Sequence, residues 1–283
     1  MFTIHNQKFG FEIEFSGISK RKAVEVLKTA LNGTNHLGEI KDERGRNWKI
    51  VYDGSVNRIN GGDANELVSP PLMYEDMDLV QNVVRALRRA GAKIDHSMGM
   101  HVHVDVQNHN AKTLKNLVKF YAKYENMFYK ACEVLPNRSG HYAMKLNSRH
   151  PNLVQKAGTI NDLDKLKLLW YGRNPSSVTK YDGSRYSGLN LHNIWYKGWY
   201  KGTVEFRLYN STLHAGKVRT YITLSLAISA RALNARSIST RNNEVVPDEF
   251  LFPKVLAGMG ISSSDEITKN VYKHLVKTMR APA

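Results

Sequence analysis

Three short segments alternate strictly between apolar and ionisable side chains, and this pattern constrains the fold more than any other feature of the chain. In Phe11-Glu12-Ile13-Glu14-Phe15, strand geometry puts both carboxylates on one face and the three apolar side chains on the other. His101-Val102-His103-Val104-Asp105-Val106 sets two imidazoles and a carboxylate opposite three valines, and Val204-Glu205-Phe206-Arg207-Leu208 sets a carboxylate and a guanidinium opposite apolar residues. A solvated sheet face alternates too, and for any one strand that is the default. Solvated faces, however, usually carry Thr, Lys and Ser, whereas these three carry Glu, His, Asp and Arg. Together they predict a concave sheet on which the ionisable faces meet. Several carboxylates brought together repel one another and call for a cation. Hard oxygen ligands with a minority of imidazole suit Mg²⁺ or Mn²⁺, and Arg207 predicts an anion beside the metal.

Apolar periodicity extends this to the whole chain. It predicts strands at about 9–16, 48–53, 65–69, 99–106, 186–194 and 202–209, and helices at about 20–31, 75–90, 112–131, 162–170, 214–236 and 265–279. Helices follow strands irregularly and several strand pairs are close in sequence, which favours an α+β fold with helices on one face of the sheet over a doubly wound parallel sheet. No repeat or Gly/Ser linker interrupts the chain, so residues 1–283 read as one continuous domain with most of the predicted elements at about 9–235. A loop at 237–264, marked by Pro247 and Pro253, and a helix at 265–279 are appended to it. Ser263 and Glu266 have capping-box spacing at the start of that helix. Residues 132–161, rich in Asn, Arg, His and Gly, read as a long functional loop.

Charge narrows the function classes. The 41 Lys and Arg against 25 Asp and Glu leave +16, which raises the local concentration of polyanions around such a protein. The lysines at 112, 115, 119 and 123 and at 269, 273 and 277 recur at helical spacing and read as solvated stripes; shorter clusters include Arg231, Arg236 and Arg241. No zinc-finger, RNA-binding or basic-zipper signature accompanies them. A single cysteine, Cys132, excludes internal disulfides and cysteine-based zinc clusters and suits a reducing compartment. No apolar run approaches the roughly 20 residues that span a bilayer, and the N-terminus carries no signal-peptide pattern. A cytoplasmic protein is expected. P-loop, dinucleotide, nucleophile-elbow and H-E-x-x-H motifs are all absent.

Two turns complete the set. Asp53-Gly54-Ser55 follows the apolar Ile50-Val51-Tyr52, and Glu66 stands on a short strand stopped by Pro70-Pro71. Each is ordinary chemistry alone and gains weight from the three ionisable strands.

The ordered series Gly10-Phe11-Glu12-Ile13-Glu14-Phe15, Asp53-Gly54-Ser55, Glu66-Leu67-Val68-Ser69-Pro70-Pro71-Leu72, Gly99-Met100-His101-Val102-His103-Val104, Arg185-Tyr186 and Thr203-Val204-Glu205-Phe206-Arg207-Leu208 resembles the amidoligase family. That family is a branch of the carboxylate–amine ligases related to glutamine synthetase and glutamate–cysteine ligase. The resemblance implies a curved antiparallel half-barrel like the glutamine synthetase catalytic domain, with helices outside and ATP bound through Mg²⁺ on the concave face. It implies activation of a carboxylate as an acyl phosphate, which an amine then attacks. Carried over, Glu12, Glu14, Glu66, His103 and Glu205 match metal positions, and His101 a metal or nucleotide contact. Arg207 matches the arginine that holds the transferred phosphoryl group, and Arg185 a second such cation. Asp53 and Ser55 would border the substrate or amine pocket, and the loop with Arg138, His141, Lys145 and Arg149 would act as a lid. The partners are then ATP, a carboxylate and an amine, with an acidic or polymeric substrate in keeping with the charge; nucleic acid is not required. A metal-dependent hydrolase using His101 and His103, or a nucleic-acid binder on a degenerate ligase scaffold, are the alternatives.

Overall fold

The computed structural model describes residues 1–36, 39–195, 202–239 and 246–281. In chain order its elements are β1 (Phe9–Phe15), α1 (Lys20–Ala30), β2 (Thr34–His36), β3 (Glu39–Lys41), β4 (Asn47–Tyr52), β5 (Asn65–Val68), α2 (Met77–Arg89), β6 (Gly99–Asp105) and α3 (Ala111–Ala131). There follow α4 (Leu146–Arg149), α5 (Pro151–Gln155), α6 (Leu163–Tyr171), β7 (Leu189–Asn190), β8 (Thr203–Asn210), α7 (Ala215–Asn234), α8 (Asp248–Gly258) and α9 (Lys269–Arg280). Short 3-10 and π turns join several of them.

The strands form one sheet in the order β2-β3-β4-β5-β1-β6-β8-β7. Every pairing between neighbours is antiparallel, and the sheet is curved and unclosed. Its apolar face is the one predicted. Phe9, Phe11, Ile13 and Phe15 of β1 and Met100, Val102 and Val104 of β6 are buried, and α7 covers β1 and β6 while packing on α3. Burying each such side chain stabilises the fold by about 1.5–3 kcal/mol. α7 is buried nearly all round, so its polar residues need internal partners. Thr220, Thr223 and Ser225 meet that need by donating to the carbonyls of Gly216, Arg219 and Tyr221 one turn back. Helices thus occupy one face and leave the ionisable face open, as the α+β reading expects. Among the described residues, no helix is long and apolar enough to cross a membrane.

The structure departs from the sequence reading in five places. β2 and β3 are three-residue strands that the periodicity does not predict, being too short to show an alternation. The strand expected over 186–194 is only two residues long, because the chain turns into a 3-10 helix at His192–Ile194. Residues 132–161 are not an open loop but a run of short helices whose Leu146, Leu153, Ala157 and Ile160 are buried. Within the stretch read as the 237–264 loop, Asp248–Gly258 is helical and buries Phe252, Val255 and Leu256. The capping box does not form: α9 begins at Lys269, and Asp265 Oδ1 accepts from the N–H groups of Ile267 and Thr268 at 2.7 and 3.2 Å. Residues 240–245, with Arg241, lie outside the described residues.

Candidate active site

Strand register assembles the site. Directly opposed residues of an antiparallel pair share a face, and Glu12 stands opposite His101, Glu14 opposite Glu66, and His103 opposite Glu205. Four strands that are distant in sequence therefore deliver their ionisable side chains to one surface. His101 Nδ1 lies 3.0 Å from Glu12 Oε2 and 3.5 Å from Glu205 Oε1, and His103 Nε2 lies 3.4 Å from Glu12 Oε1. Glu14 Oε2 accepts from the Gly99 N–H at 2.6 Å. Arg207 Nη1 donates to Glu205 Oε1 at 2.6 Å, and Glu205 Oε2 accepts from both Asn190 Nδ2 and Asn193 Nδ2 at 2.8 Å.

These side chains line a cavity of about 1140 Å³, above the roughly 300–1,000 Å³ of ordinary ligand pockets. Glu12, Glu14, Asp53, Ser55, Glu66, His101, His103, Arg185, Glu205 and Arg207 all border it. Arg185 stands among aromatics: its guanidinium lies 5.4 Å from the Tyr181 ring and 5.0 Å from that of Tyr186, whose hydroxyl accepts from Arg185 Nη2 at 3.0 Å. From the segment expected to form a lid, Arg138 and Tyr142 reach the cavity, whereas His141, Lys145 and Arg149 are not among its lining.

The electrostatics record how closely the carboxylates are packed. Burial, then the charges of Glu12, Glu14, Asp53 and Glu205, push Glu66 up to about 9. Burial works the same way on Glu12, but His103 and His101 overcome it and hold Glu12 well below the usual carboxylate range. Glu205, likewise buried, is held at about 2 by Arg207, His103 and His101. For His103, burial favours the neutral ring, yet Glu12 and Glu205 raise its pKa. Burial pushes the Cys132 thiol up, and Cys132 does not line the cavity, so it is no nucleophile here.

The donor set fits a hard divalent cation. Three groups, Glu12/His103/Glu205, Glu12/Glu66/His101 and Glu14/Asp53/Glu66, each bring their ligand atoms within 4.8 Å of one another. His101 Nε2 is buried without a hydrogen-bond partner, 3.9 Å from Glu14 Oε1, which is costly unless another group engages it. Asp53, read from sequence as bordering the substrate, stands with Glu14 and Glu66 in the third group. Its Oδ1 also accepts from Ser55 N and Oγ at 2.8 and 2.7 Å.

Several site residues escaped the sequence reading. Asn190 and Asn193 hold Glu205, Thr203 Oγ1 lies 3.0 Å from His103 Nδ1, and Lys180 and Tyr181 line the cavity. Two signals pointed to some of them: the alternation Asn190-Leu191-His192 inside the expected strand, and Thr203 two residues before Glu205, on the same strand face.

A family model described as "Putative amidoligase enzyme" matches residues 5–229. The chain belongs to this amidoligase family. Membership supports a carboxylate–amine ligase, and the matched span includes the four site strands and Arg138, Arg185 and Arg207 of the cavity. Among solved structures, the chain is similar to a bifunctional glutathione synthetase from Pasteurella multocida, with 11% identity and a TM-score of 0.46. That match covers 98% of this chain and 47% of the other, so the chain spans about half the length of that protein. No curated protein matches the chain.

Proposed function

We propose that this amidoligase is an ATP- and Mg²⁺-dependent carboxylate–amine ligase that forms an amide or peptide-like bond through an acyl phosphate. The observation that carries the reading is the union, in one cavity, of three carboxylate-rich ligand groups with the Glu205–Arg207 pair. Glu12, Glu14, Glu66, His103 and Glu205 would hold Mg²⁺ or Mn²⁺, with His101 at the metal or the nucleotide. When bound, the metal supplies neutralisation and alignment of phosphate oxygens.

The chain's own residues do the rest by positioning and charge. Arg207, anchored by Glu205, holds the γ-phosphoryl group as an oxygen of the substrate carboxylate attacks phosphorus and the bond to ADP breaks. Arg185 supplies a second cation at the cavity wall. The amine nitrogen then attacks the acyl carbon, the bond to phosphate breaks, inorganic phosphate leaves and the nitrogen gives up a proton. Asp53 and Ser55 border the amine pocket. The sheet plays the part of the half-barrel of glutamine synthetase catalytic domains, and the basic exterior favours ATP and an acidic, polymeric carboxylate donor.

Metal-loaded protein supplied with ATP and pooled carboxylates and amines is expected to release ADP only when all are present, and Arg207→Ala is expected to cut that release about a thousandfold, to a small measurable residue, while the fold survives. Absence of ATP turnover with every pool, together with no nucleotide binding by calorimetry, would sink the reading. ATP-independent turnover with near-stoichiometric zinc would move it to a metal hydrolase.

A further inference from the structure

Arg207 sits at an irregularity in its strand, and Arg138 fills the gap that the irregularity leaves. Between Met100 and Val102 of β6, the partner on β8 moves from Tyr209 to Phe206. Two β8 residues, Arg207 and Leu208, therefore stand opposite His101, a bulge that re-aims a side chain. On the other edge of β8, Arg207 N–H donates to the Gly188 carbonyl at 2.8 Å. A regular antiparallel pair would return a bond from Gly188 N–H to the Arg207 carbonyl. Gly188 N–H instead donates to the Met144 carbonyl at 2.8 Å. Arg138 Nη2 supplies the missing donor, 2.8 Å from the Arg207 carbonyl oxygen.

The placement of Arg138 is built in. Arginine is among the side chains least often buried, yet Arg138 is only 2% exposed. Its guanidinium lies flat against the start of β6, where a Cβ on Gly99 would stand 2.4 Å from Nη1 and 2.5 Å from Nη2. Only glycine leaves that room, and the Gly99 N–H simultaneously binds Glu14. One guanidinium thus lies against Gly99, whose N–H holds the Glu14 carboxylate, and donates to the backbone carbonyl of Arg207.

We propose that Arg138 is a positioning residue that locks the β8 bulge and so aims Arg207 into the cavity. This rests on the ligase reading for its catalytic consequence, but the aim of Arg207 can be observed without turnover. The test compares wild type, Arg138→Ala, Arg138→Lys, Gly99→Ala, Arg207→Ala and the Arg138→Ala/Arg207→Ala double variant by ADP release and by ¹⁵N NMR of the Arg207 Nε–H group. Arg138→Ala is expected to lower kcat by about tenfold or more while KM for ATP stays within about threefold, the pattern of lost transition-state alignment. Gly99→Ala, which displaces the guanidinium without deleting it, should reproduce the loss. Arg138→Lys, which can still donate to the Arg207 carbonyl, should recover part of the rate. The double variant should be no worse than Arg207→Ala alone, because a residue that acts through Arg207 has nothing left to position. Losses that multiply in the double variant, or unchanged kcat in both Arg138→Ala and Gly99→Ala, overturn the proposal. If wild type turns over no ATP, the ligase reading fails separately. The Arg207 Nε–H resonance then decides the positioning claim: a shift in Gly99→Ala supports it, and an unmoved resonance overturns it. Should Arg138→Ala fail to fold, Gly99→Ala and Arg138→Lys carry the comparison.

Discussion

Glu66 is raised to about 9 because it is buried and faces Glu12, Glu14, Asp53 and Glu205, and that has a consequence for stability. Without metal, folded Glu66 holds a proton between about pH 4.3, the unfolded value, and about 9, whereas the unfolded chain does not. Stability must then fall as pH rises across that window. Glu205 has the opposite sign: held at about 2, it contributes stability above the unfolded value that is lost as pH falls toward 2. The expected outcome in metal-free scanning fluorimetry is a melting temperature that declines from about pH 7 to 9, above the range in which the buried His109 and His150, held at about 4, act in the opposite sense. Mg²⁺ should restore it most at the alkaline end, and Glu66→Gln should flatten the decline; a flat profile in wild type would contradict the cluster. Glu12→Gln, which removes a charge shared by two of the three ligand groups, should abolish ADP release and lower the melting temperature at pH 7 without unfolding the protein, since the carboxylate that His103 and His101 hold low stabilises the fold there. The Glu12, His101, His103 and Glu205 face was legible because alternation alone assigns side chains to faces. The place of Asp53 was not, since it depends on the pairing of β4 with β5, which local sequence does not encode.

At the scale of elements, long amphipathic segments were legible and proline-punctuated ones were not. α1, α2, α3, α6 and α7 begin within about two residues of the expected positions, since a repeat of buried positions over several turns outweighs any single residue. Pro247 and Pro253 read as breakers, yet Pro247 stands just before α8 and Pro253 lies inside it. Proline in a helix interior ordinarily costs about 3 kcal/mol. Here burial of Phe252, Val255 and Leu256, with the Phe252 ring 6.4 Å from that of Phe128, offsets the loss. Phe252→Ala is accordingly expected to cost about 3–5 kcal/mol in urea unfolding, whereas a cost under about 1 kcal/mol would mean that α8 adds little to the core. β7 was overextended for a related reason: its alternation continues past Asn190, but the Asn190 side chain accepts from His192 N–H at 2.8 Å and turns the chain. That turn brings Asn193 to Glu205, so the element that local pattern misjudged is one that serves the site.

For the whole molecule, the excess of 16 positive charges and the acidic centre of the sheet are two parts of one arrangement. Six of the 25 carboxylates, Glu12, Glu14, Asp53, Glu66, Asp105 and Glu205, gather in the cavity, while lysine stripes such as those of α3 and α9 lie on helices outside it. On the proposed reading, an anion approaching such a body is drawn by the outer field and would be held by arginine and metal within. The KM for ATP should therefore rise several-fold between low and 0.5 M salt while kcat changes little, as screening removes attraction but not the short contacts of the cavity. A KM indifferent to salt would confine the role of the charge to other partners. The most direct test of the central claim follows oxygen. Carboxylate donors labelled with ¹⁸O are incubated with the enzyme, Mg²⁺, ATP and amines, and the phosphate released is read by its ³¹P isotope shift. An acyl-phosphate ligase transfers one ¹⁸O atom from each carboxylate to each inorganic phosphate as the amide forms. Amide formation or ATP cleavage with unlabelled phosphate would contradict the account.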